Sequence, residues 1–156
     1  MRTAVVPVEE IFALRWAVLR TGMPRETAVY PEDSHPDVFH IAVYDDSGAA
    51  DGSGDGPLVK GCVTFFPDPL PGETAPAYRF RGMGSAPEVR GQGYGAAALN
   101  AGLREAAARG AELGWCNGRT SATGFYEHLG FTAIGEEFTI QPSGPHYIFV
   151  TKDLDR

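Results

Sequence analysis

The stretch MGSAPEVRGQGYGAAAL, residues 83–99, places two glycines one residue apart directly before a run of small helix-forming residues. The segment before it, YRFRGMGSA at 78–86, alternates in the manner of a strand. A strand, a tight glycine turn and a helix over about 93–109 are therefore predicted. Backbone N–H groups at a helix start lack partners and lie at the positive end of the helix dipole, so such a junction suits phosphate.

Several ligands could use such a junction, and the residues around it favour them unequally. A nucleoside-triphosphate loop ends in Gly-Lys-Ser/Thr, whereas this one continues Gly-Ala-Ala. Gly91, Gly93 and Ala96 match a dinucleotide fingerprint with Glu112 about 20 residues on, but residues intervene after the strand and Glu112 precedes the next apolar run. A turn that serves only close helix packing is the remaining alternative.

The other elements follow from periodicity and turn residues. A helix is predicted over 7–20, then strands over 39–46 and 58–66, separated by the polar segment SGAADGSGDGP at 47–57, interpreted as a mobile hairpin tip. Further strands are predicted at 113–118, near 131–140 and at 146–153, with a helix over 121–130. Because a helix joins the strands at 78–86 and 113–118, these two are expected to pair in parallel within an otherwise largely antiparallel sheet.

The composition and charge of the chain disfavour several classes of partner. The chain of 156 residues carries 13 basic and 20 acidic side chains, a net charge of −7, which disfavours nucleic acid or an anionic membrane as a partner. No apolar run approaches the ~18 residues of a membrane span, and no leader-like segment opens the chain, so a cytoplasmic protein is expected. Cys62 and Cys116 lie in apolar runs and are interpreted as buried thiols.

Two segments resemble one family. PEVRGQGYGAAAL resembles the acyl-CoA signature R/Q-x-x-G-x-G/A of the GNAT superfamily of N-acetyltransferases, with Arg90, Gly93 and Gly95 at its fixed positions. FYEHLGF, 125–131, resembles that superfamily's second conserved segment, in which a tyrosine-bearing helix ends in Leu-Gly-Phe. The resemblance covers residues 60–153 well and the amino-terminal part only by order of elements.

The resemblance implies a fold and a reaction. The fold is α/β (α+β), one GNAT-like domain over 1–156, with a mixed, mostly antiparallel sheet, one parallel splayed strand pair and flanking helices. The reaction is transfer of acetyl from acetyl-CoA to a primary amine of a small molecule or protein. A non-catalytic CoA-binding regulatory module of the same fold is the alternative. Dimers are common in families of this kind, so a homodimer is a further expectation.

The same resemblance assigns coenzyme-binding residues. Backbone groups of Met83 and Ser85 would pair with the pantetheine arm, and the N–H of Ser85 would stabilise the developing oxyanion. The diphosphate would lie on the loop and first helical turn formed by Arg90, Gly91, Gln92, Gly93, Tyr94, Gly95 and Ala96. A nucleophilic role for the Ser85 hydroxyl is disfavoured, because no Ser-His-Asp pattern or G-x-S-x-G elbow accompanies it.

The candidates for catalytic residues lie in the second half of the chain. Tyr126 matches the family tyrosine beside the coenzyme sulfur and is assigned as general acid, although an aromatic helix end is also typical of a core, as expected for Phe125. His146 is the first candidate for the general base, since histidine titrates in the useful range, and Glu137 is the second. A surface or structural role remains open for both.

The acceptor side is less defined. Family members often carry asparagine where this chain has Arg119, while Ala122 is kept and Asn117 lies two residues earlier. Arg119, with Arg79 and Arg81, could give the acceptor pocket a cationic wall, or the arginines could pair with surface acids. No metal is expected, because His35 and His40 near Asp33 and Asp37 fit no familiar ligand spacing and are better interpreted as a solvated loop.

Overall fold

The computed structural model describes residues 1–45 and 58–155. These residues form seven strands and three α-helices in the following order: β1 Arg2–Val6, α1 Val8–Leu19, β2 Phe39–Asp45, β3 Leu58–Pro67, β4 Ala77–Ser85, α2 Tyr94–Ala108, β5 Leu113–Arg119, α3 Thr123–His128, β6 Thr132–Ile140 and β7 Gly144–Thr151. Hydrogen bonds order the strands β1-β2-β3-β4-β5-β7-β6. The predicted α/β fold with a mixed sheet is confirmed.

Strand directions follow from the connections. β4 and β5, joined through α2, run parallel with Ala77 opposite Leu113 and Arg79 opposite Trp115. The pairs β1–β2, β2–β3, β5–β7 and β6–β7 are antiparallel. The parallel pair predicted from the crossover helix is therefore present.

The chain divides into two compact units, Met1–Phe66 with Gly82–Gly102, and Pro67–Arg81 with Leu103–Arg156. The expectation of one domain over 1–156 stays a prediction. β1 was missed by the sequence analysis, since five residues at a chain end carry a weak pattern. The proposed hairpin tip at 47–57 lies outside the described residues.

A buried arginine organises the first unit. Arg15 of α1 is fully buried, and its two terminal nitrogens lie 2.7 and 3.0 Å from the carboxylate oxygens of Asp33. The same guanidinium donates to the carbonyl of Ala28 at 2.9 Å and to Thr64 Oγ1 of β3 at 2.6 Å. Because an unpaired buried charge would be costly, Arg15 holds the short 3₁₀ turns Arg25–Ala28 and Pro31–Ser34 against α1 and β3.

His40 completes this network, which corrects the interpretation of this residue as part of a solvated loop, whereas His35 and Asp37 are exposed. His40 lies on β2, only 4% exposed, with Nδ1 2.8 Å from Thr64 Oγ1. Thr64 Oγ1 thus contacts both Arg15 and the imidazole, whose Nε2 lies 4.0 Å from Asp33 Oδ1. Burial, aided by the Arg15 charge and opposed by Asp33 and Glu9, lowers the pKa of His40 to about 4.

Close packing in each unit uses glycine at defined points. A Cβ on Gly102 of α2 would lie 2.1 Å from Phe65 Cε1 of β3, so the helix approaches that strand as closely as glycine allows. In the second unit, a Cβ on Gly114 of β5 would lie 2.6 Å from Leu103 Cδ2. The second unit also buries Leu70, Leu113 and Trp115, and the indole of Trp115 donates to the carbonyl of Asp68 at 2.9 Å.

Acid should unfold the protein through His40. The pKa of His40 in the folded chain lies below its ordinary value of 6.5, so the unfolded chain takes up the proton first as the pH falls. The free energy of unfolding is expected to drop between pH 6.5 and about 4, and chemical denaturation across this range measures it. His40→Asn should flatten the drop while the same change at exposed His35 should not; an equal slope in all three proteins would contradict the assignment.

Candidate functional site

The loop that carries the predicted coenzyme residues is anchored on β3. The N–H of Ala86 donates to the carbonyl of Lys60 at 2.8 Å, and the Lys60 ammonium pairs with the Glu88 carboxylate, a contact that lowers the pKa of Glu88. Val89 is buried, whereas Arg90, Gly91, Gln92 and Gly93 are exposed. The loop is thus fixed at its start and open to solvent at the residues expected to meet phosphate.

Gly91 and Gly93 serve the turn rather than packing. Their φ angles are +79° and +87°, values that L side chains rarely adopt. A Cβ at either position would meet nothing within 4 Å among the described residues. Close helix packing, the alternative considered for these glycines, therefore does not explain them, and Gly102 performs that function instead.

Helix α2 begins directly after this turn. The N–H of Ala97 donates to the carbonyl of Gly93 at 2.9 Å, so the N–H groups of Tyr94, Gly95 and Ala96 precede the first intrahelical bond. Tyr94 is buried, and the Cβ of Gly61, if present, would lie 3.5 Å from the Tyr94 Cβ. Tyr94 can consequently offer only its backbone to a ligand.

The end of β4 presents its two faces differently. A Cβ on Gly82 would point at Tyr30, and one on Gly84 at Val18 and Leu19. Met83 and Ser85, which alternate with these two glycines, are both half-buried.

Tyr126 of α3 lies in an aromatic cluster of the second unit. It is 7% exposed, and its ring stacks on Phe149 with centroids 4.6 Å apart. Burial, with Cys116 as the next cause, raises the pKa of Tyr126, and its hydroxyl is hydrogen-bonded to the Cys116 thiol. The phenol is therefore held neutral. Phe125, expected in the core, is 38% exposed, which corrects that prediction: the helix turns Tyr126 inward and its neighbour outward.

Gly118 makes room for this cluster, a role that sequence reasoning missed. A Cβ there would lie 2.7 Å from both Tyr126 Cε2 and Phe149 Cδ2. A glycine within a strand pattern was the available signal, since it often marks a close approach.

His146 is buried at 5% exposure on β7, and its Nδ1 lies 2.7 Å from the carbonyl of Gly144. A carbonyl only accepts, so Nδ1 carries the proton and Nε2 keeps a lone pair. Its ring lies 6.0 Å from that of Phe138. Glu137, the second base candidate, is exposed where the β6–β7 register shifts between Ile134 and Phe138.

The two leading catalytic candidates lie on opposite faces of the second unit's strands. His146 stands opposite Arg119 in the β5–β7 ladder, so these side chains share a face. Tyr126 contacts Gly118 and Phe149, which alternation places on the other face. Residues Tyr126 and His146 are thus not in contact through this part of the sheet.

The arginines predicted to contact the acceptor have different surroundings. The guanidinium of Arg79 lies 3.4 Å from an Asp68 carboxylate oxygen and 5.3 Å from the Trp115 ring centroid. Arg79 therefore fits the alternative hypothesis, in which these arginines form ion pairs with surface acids. Arg81 is half-buried and Arg119 is exposed, so Arg119 keeps the most accessible guanidinium of the three.

Other ligand classes find less support. Within residues 1–45 and 58–155, no group of three or more His, Cys, Asp or Glu side chains could hold a metal ion. Glu112 lies before β5 rather than at its end, with its N–H on the Pro76 carbonyl, which does not fit the ribose-binding acid of a dinucleotide fold. No helix of the described chain is long and apolar enough to cross a membrane.

Comparison with known proteins establishes the family. The family model of the acetyltransferase (GNAT) family matches residues 8–131, so the chain belongs to this family. It is 30% identical over 149 residues to the uncharacterized N-acetyltransferase YitI of Bacillus subtilis (strain 168), covering 95% of this chain and 93% of YitI. The predicted class, acetyl-CoA-dependent N-acetyl transfer, is thereby confirmed at the level of the family.

Solved structures agree with this fold. An acyl-CoA N-acyltransferase from Pseudomonas aeruginosa is similar with a TM-score of 0.71 at 15% identity, over 96% of this chain and 98% of that one. An aminoglycoside 6'-N-acetyltransferase complexed with coenzyme A is similar with a TM-score of 0.68 at 15% identity, over 97% and 96% of the two chains.

Adding a methyl group at Gly118 should destabilise the protein. The Gly118→Ala side chain would overlap Tyr126 and Phe149, and overpacking of this kind costs about 1–3 kcal/mol. Urea denaturation measures the loss. Gly124→Ala in α3, where a Cβ meets nothing within 4 Å, is the matched control and should be neutral or stabilising. Equal effects at the two sites would contradict the packing described here.

Proposed function

We propose that this protein transfers an acetyl group from acetyl-CoA to a primary amine of a small molecule or protein. The main observation in support of this proposal is the exposed turn Arg90–Gly93, whose glycines adopt positive φ and directly precede the first turn of α2. An anion placed there would meet N–H groups, the helix dipole and the Arg90 charge together.

The coenzyme contacts are proposed on this basis. Backbone N–H groups of Gly91 and of Gly93 to Ala96 would bind the diphosphate, whereas the Gln92 N–H already donates to the carbonyl of Val89 at 3.1 Å. The side chains of Arg90 and Gln92 would add donors. The Gln92 side-chain amide already donates to the carbonyl of Glu88 at 3.2 Å, which steadies the turn. Backbone groups of Met83 and Ser85 at the end of β4 would pair with the pantetheine arm, and the Ser85 N–H would donate a hydrogen bond to the thioester carbonyl.

Transfer would then proceed without a covalent enzyme intermediate. A neutral amine attacks the thioester carbon, the carbonyl oxygen gains negative charge against the β4 N–H, and the C–S bond breaks. The departing thiolate takes a proton from Tyr126. The phenol carries its proton at neutral pH, as a general acid must, although burial raises the pKa of Tyr126 and makes it a weaker acid; the match to the family tyrosine is what supports this role.

The amine's own proton requires a base. His146 is favoured over Glu137, because its Nδ1–H on the Gly144 carbonyl leaves Nε2 able to accept. Since His146 and Tyr126 lie on opposite faces, the proton would reach His146 from the acceptor's side of the sheet, directly or through water. Arg119, which shares the His146 face, would bind a carboxylate or phosphate on the acceptor; Arg81 and Arg79, the latter already paired with Asp68, would add to the cationic wall.

Reversing the charge at the loop should weaken coenzyme binding. Arg90→Glu is expected to lower the acetyl-CoA affinity ten- to a hundredfold, because it replaces a charge-assisted hydrogen-bond donor by a repelling carboxylate. Calorimetry measures the affinity, with Arg104→Glu, an exposed residue of α2, as the control. Unchanged affinity in Arg90→Glu would remove the loop from the coenzyme site.

Removing the Tyr126 hydroxyl should slow transfer while leaving binding intact. Tyr126→Phe is expected to lower kcat by about a hundredfold or more and to change the acetyl-CoA affinity less than twofold, since a proton donor acts in the transition state. Release of the CoA thiol, with an acceptor found by screening primary amines, gives the rate. Tyr44→Phe, which removes a hydroxyl bonded to Glu10, is the control. Wild-type turnover in Tyr126→Phe would exclude it as the acid.

A further inference from the structure

Tyr30 contacts the backbone of β4 at the residue before Met83. Gly82 has φ of +68°, and a Cβ there would lie 2.8 Å from Tyr30 Cε2 and 3.1 Å from Tyr30 Oη. A positive φ within a strand turns the next peptide out of the regular pleat. The ring therefore occupies the space beside a strand segment whose backbone departs from regular geometry.

The ring is itself held firmly. Tyr30 is 4% exposed, and the guanidinium of Arg15 lies 3.9 Å from its centroid. Its backbone N–H donates to Asp33 Oδ2 at 3.0 Å, and Arg15 binds both Asp33 and the carbonyl of Ala28. Ala28, two positions before Tyr30, and Asp33, three positions after it, are thus bound to the same buried cation.

The other side of Gly82 is also fixed. The Cys62 thiol of β3 donates to the Gly82 carbonyl at 3.6 Å, and Val18 Cγ2 would lie 2.7 Å from a Cβ on Gly84. The segment 82–84 is therefore contacted from three sides. Cys62 of β3 and Tyr30 contact Gly82, and Val18 lies against Gly84. At Gly82, the residue with positive φ, the atoms that a Cβ would meet belong to Tyr30.

We propose that Tyr30 is a positioning residue that holds the β4 backbone from Gly82 to Ser85 in the conformation that receives the acetyl end of the coenzyme. This rests on the proposed acetyl-CoA function. Loss of the ring would let Gly82 relax towards regular strand geometry and move the N–H groups that follow it. The diphosphate loop, anchored separately on Lys60, would be unaffected.

The test compares two ligands that differ only at the acetyl group. Affinities for acetyl-CoA and for CoA are measured by calorimetry in the wild type, in Tyr30→Leu and in Tyr30→Phe, which keeps the ring. Tyr30→Leu should reduce the ratio of acetyl-CoA to CoA affinity about fivefold, the effect of one hydrogen bond, with the CoA affinity within twofold of wild type. Tyr30→Phe should keep the wild-type ratio.

A general loss of stability would not produce this pattern. Tyr44→Leu removes a buried ring elsewhere in the same unit and should leave the ratio unchanged. If Tyr30→Leu does not fold, Gly82→Ala tests the same contact from the strand and should lower the ratio likewise. A wild-type ratio in the folded variants, or an equal fall in Tyr44→Leu, would overturn the proposal. A wild-type protein that binds neither ligand would overturn the proposed function itself.

Discussion

Between the end of β4 at Ser85 and the start of α2 at Tyr94 the chain must change direction, and Gly91 and Gly93 make the last part of this turn with positive φ. These two residues are the constraint on which the site depends, because any side chain there would be strained. Their conformation places the open N–H groups of α2 at an exposed turn. Nothing among the described residues packs on either Cα, so the turn is available to a ligand.

Glycine elsewhere in the chain has a different function, namely close contact with large side chains. Tyr30 packs against Gly82, Phe65 against Gly102, and Tyr126 and Phe149 against Gly118. In the first unit these contacts support the strand and helix that flank the turn. In the second they fix the tyrosine that the family resemblance assigns as the proton donor. Both units thus have glycine where a large side chain packs directly on the backbone.

The turn, the helix after it and the tyrosine helix could be predicted because their signals are local. The buried network could not, since Arg15 is typical of a helix surface and its partners Asp33 and Thr64 lie 18 and 49 residues away. The same holds for His40, whose burial depends on that network. The prediction that Phe125 lies in the core was wrong, because the sequence of a short aromatic helix end does not show which ring turns inward. The faces of Tyr126 and His146 follow from strand register, which spacing alone does not fix.

The assignment of the family leaves one physical question at the centre, namely whether the turn at Arg90–Gly93 binds the coenzyme. Thermal unfolding with acetyl-CoA, NAD and ATP, each in parallel, answers it most directly. A ligand at a hundredfold excess over its dissociation constant stabilises the folded state by about 2.7 kcal/mol, a shift of several degrees for a chain of this size. A shift with acetyl-CoA and none with NAD or ATP is expected. No shift with acetyl-CoA, or a shift with NAD alone, would contradict this expectation.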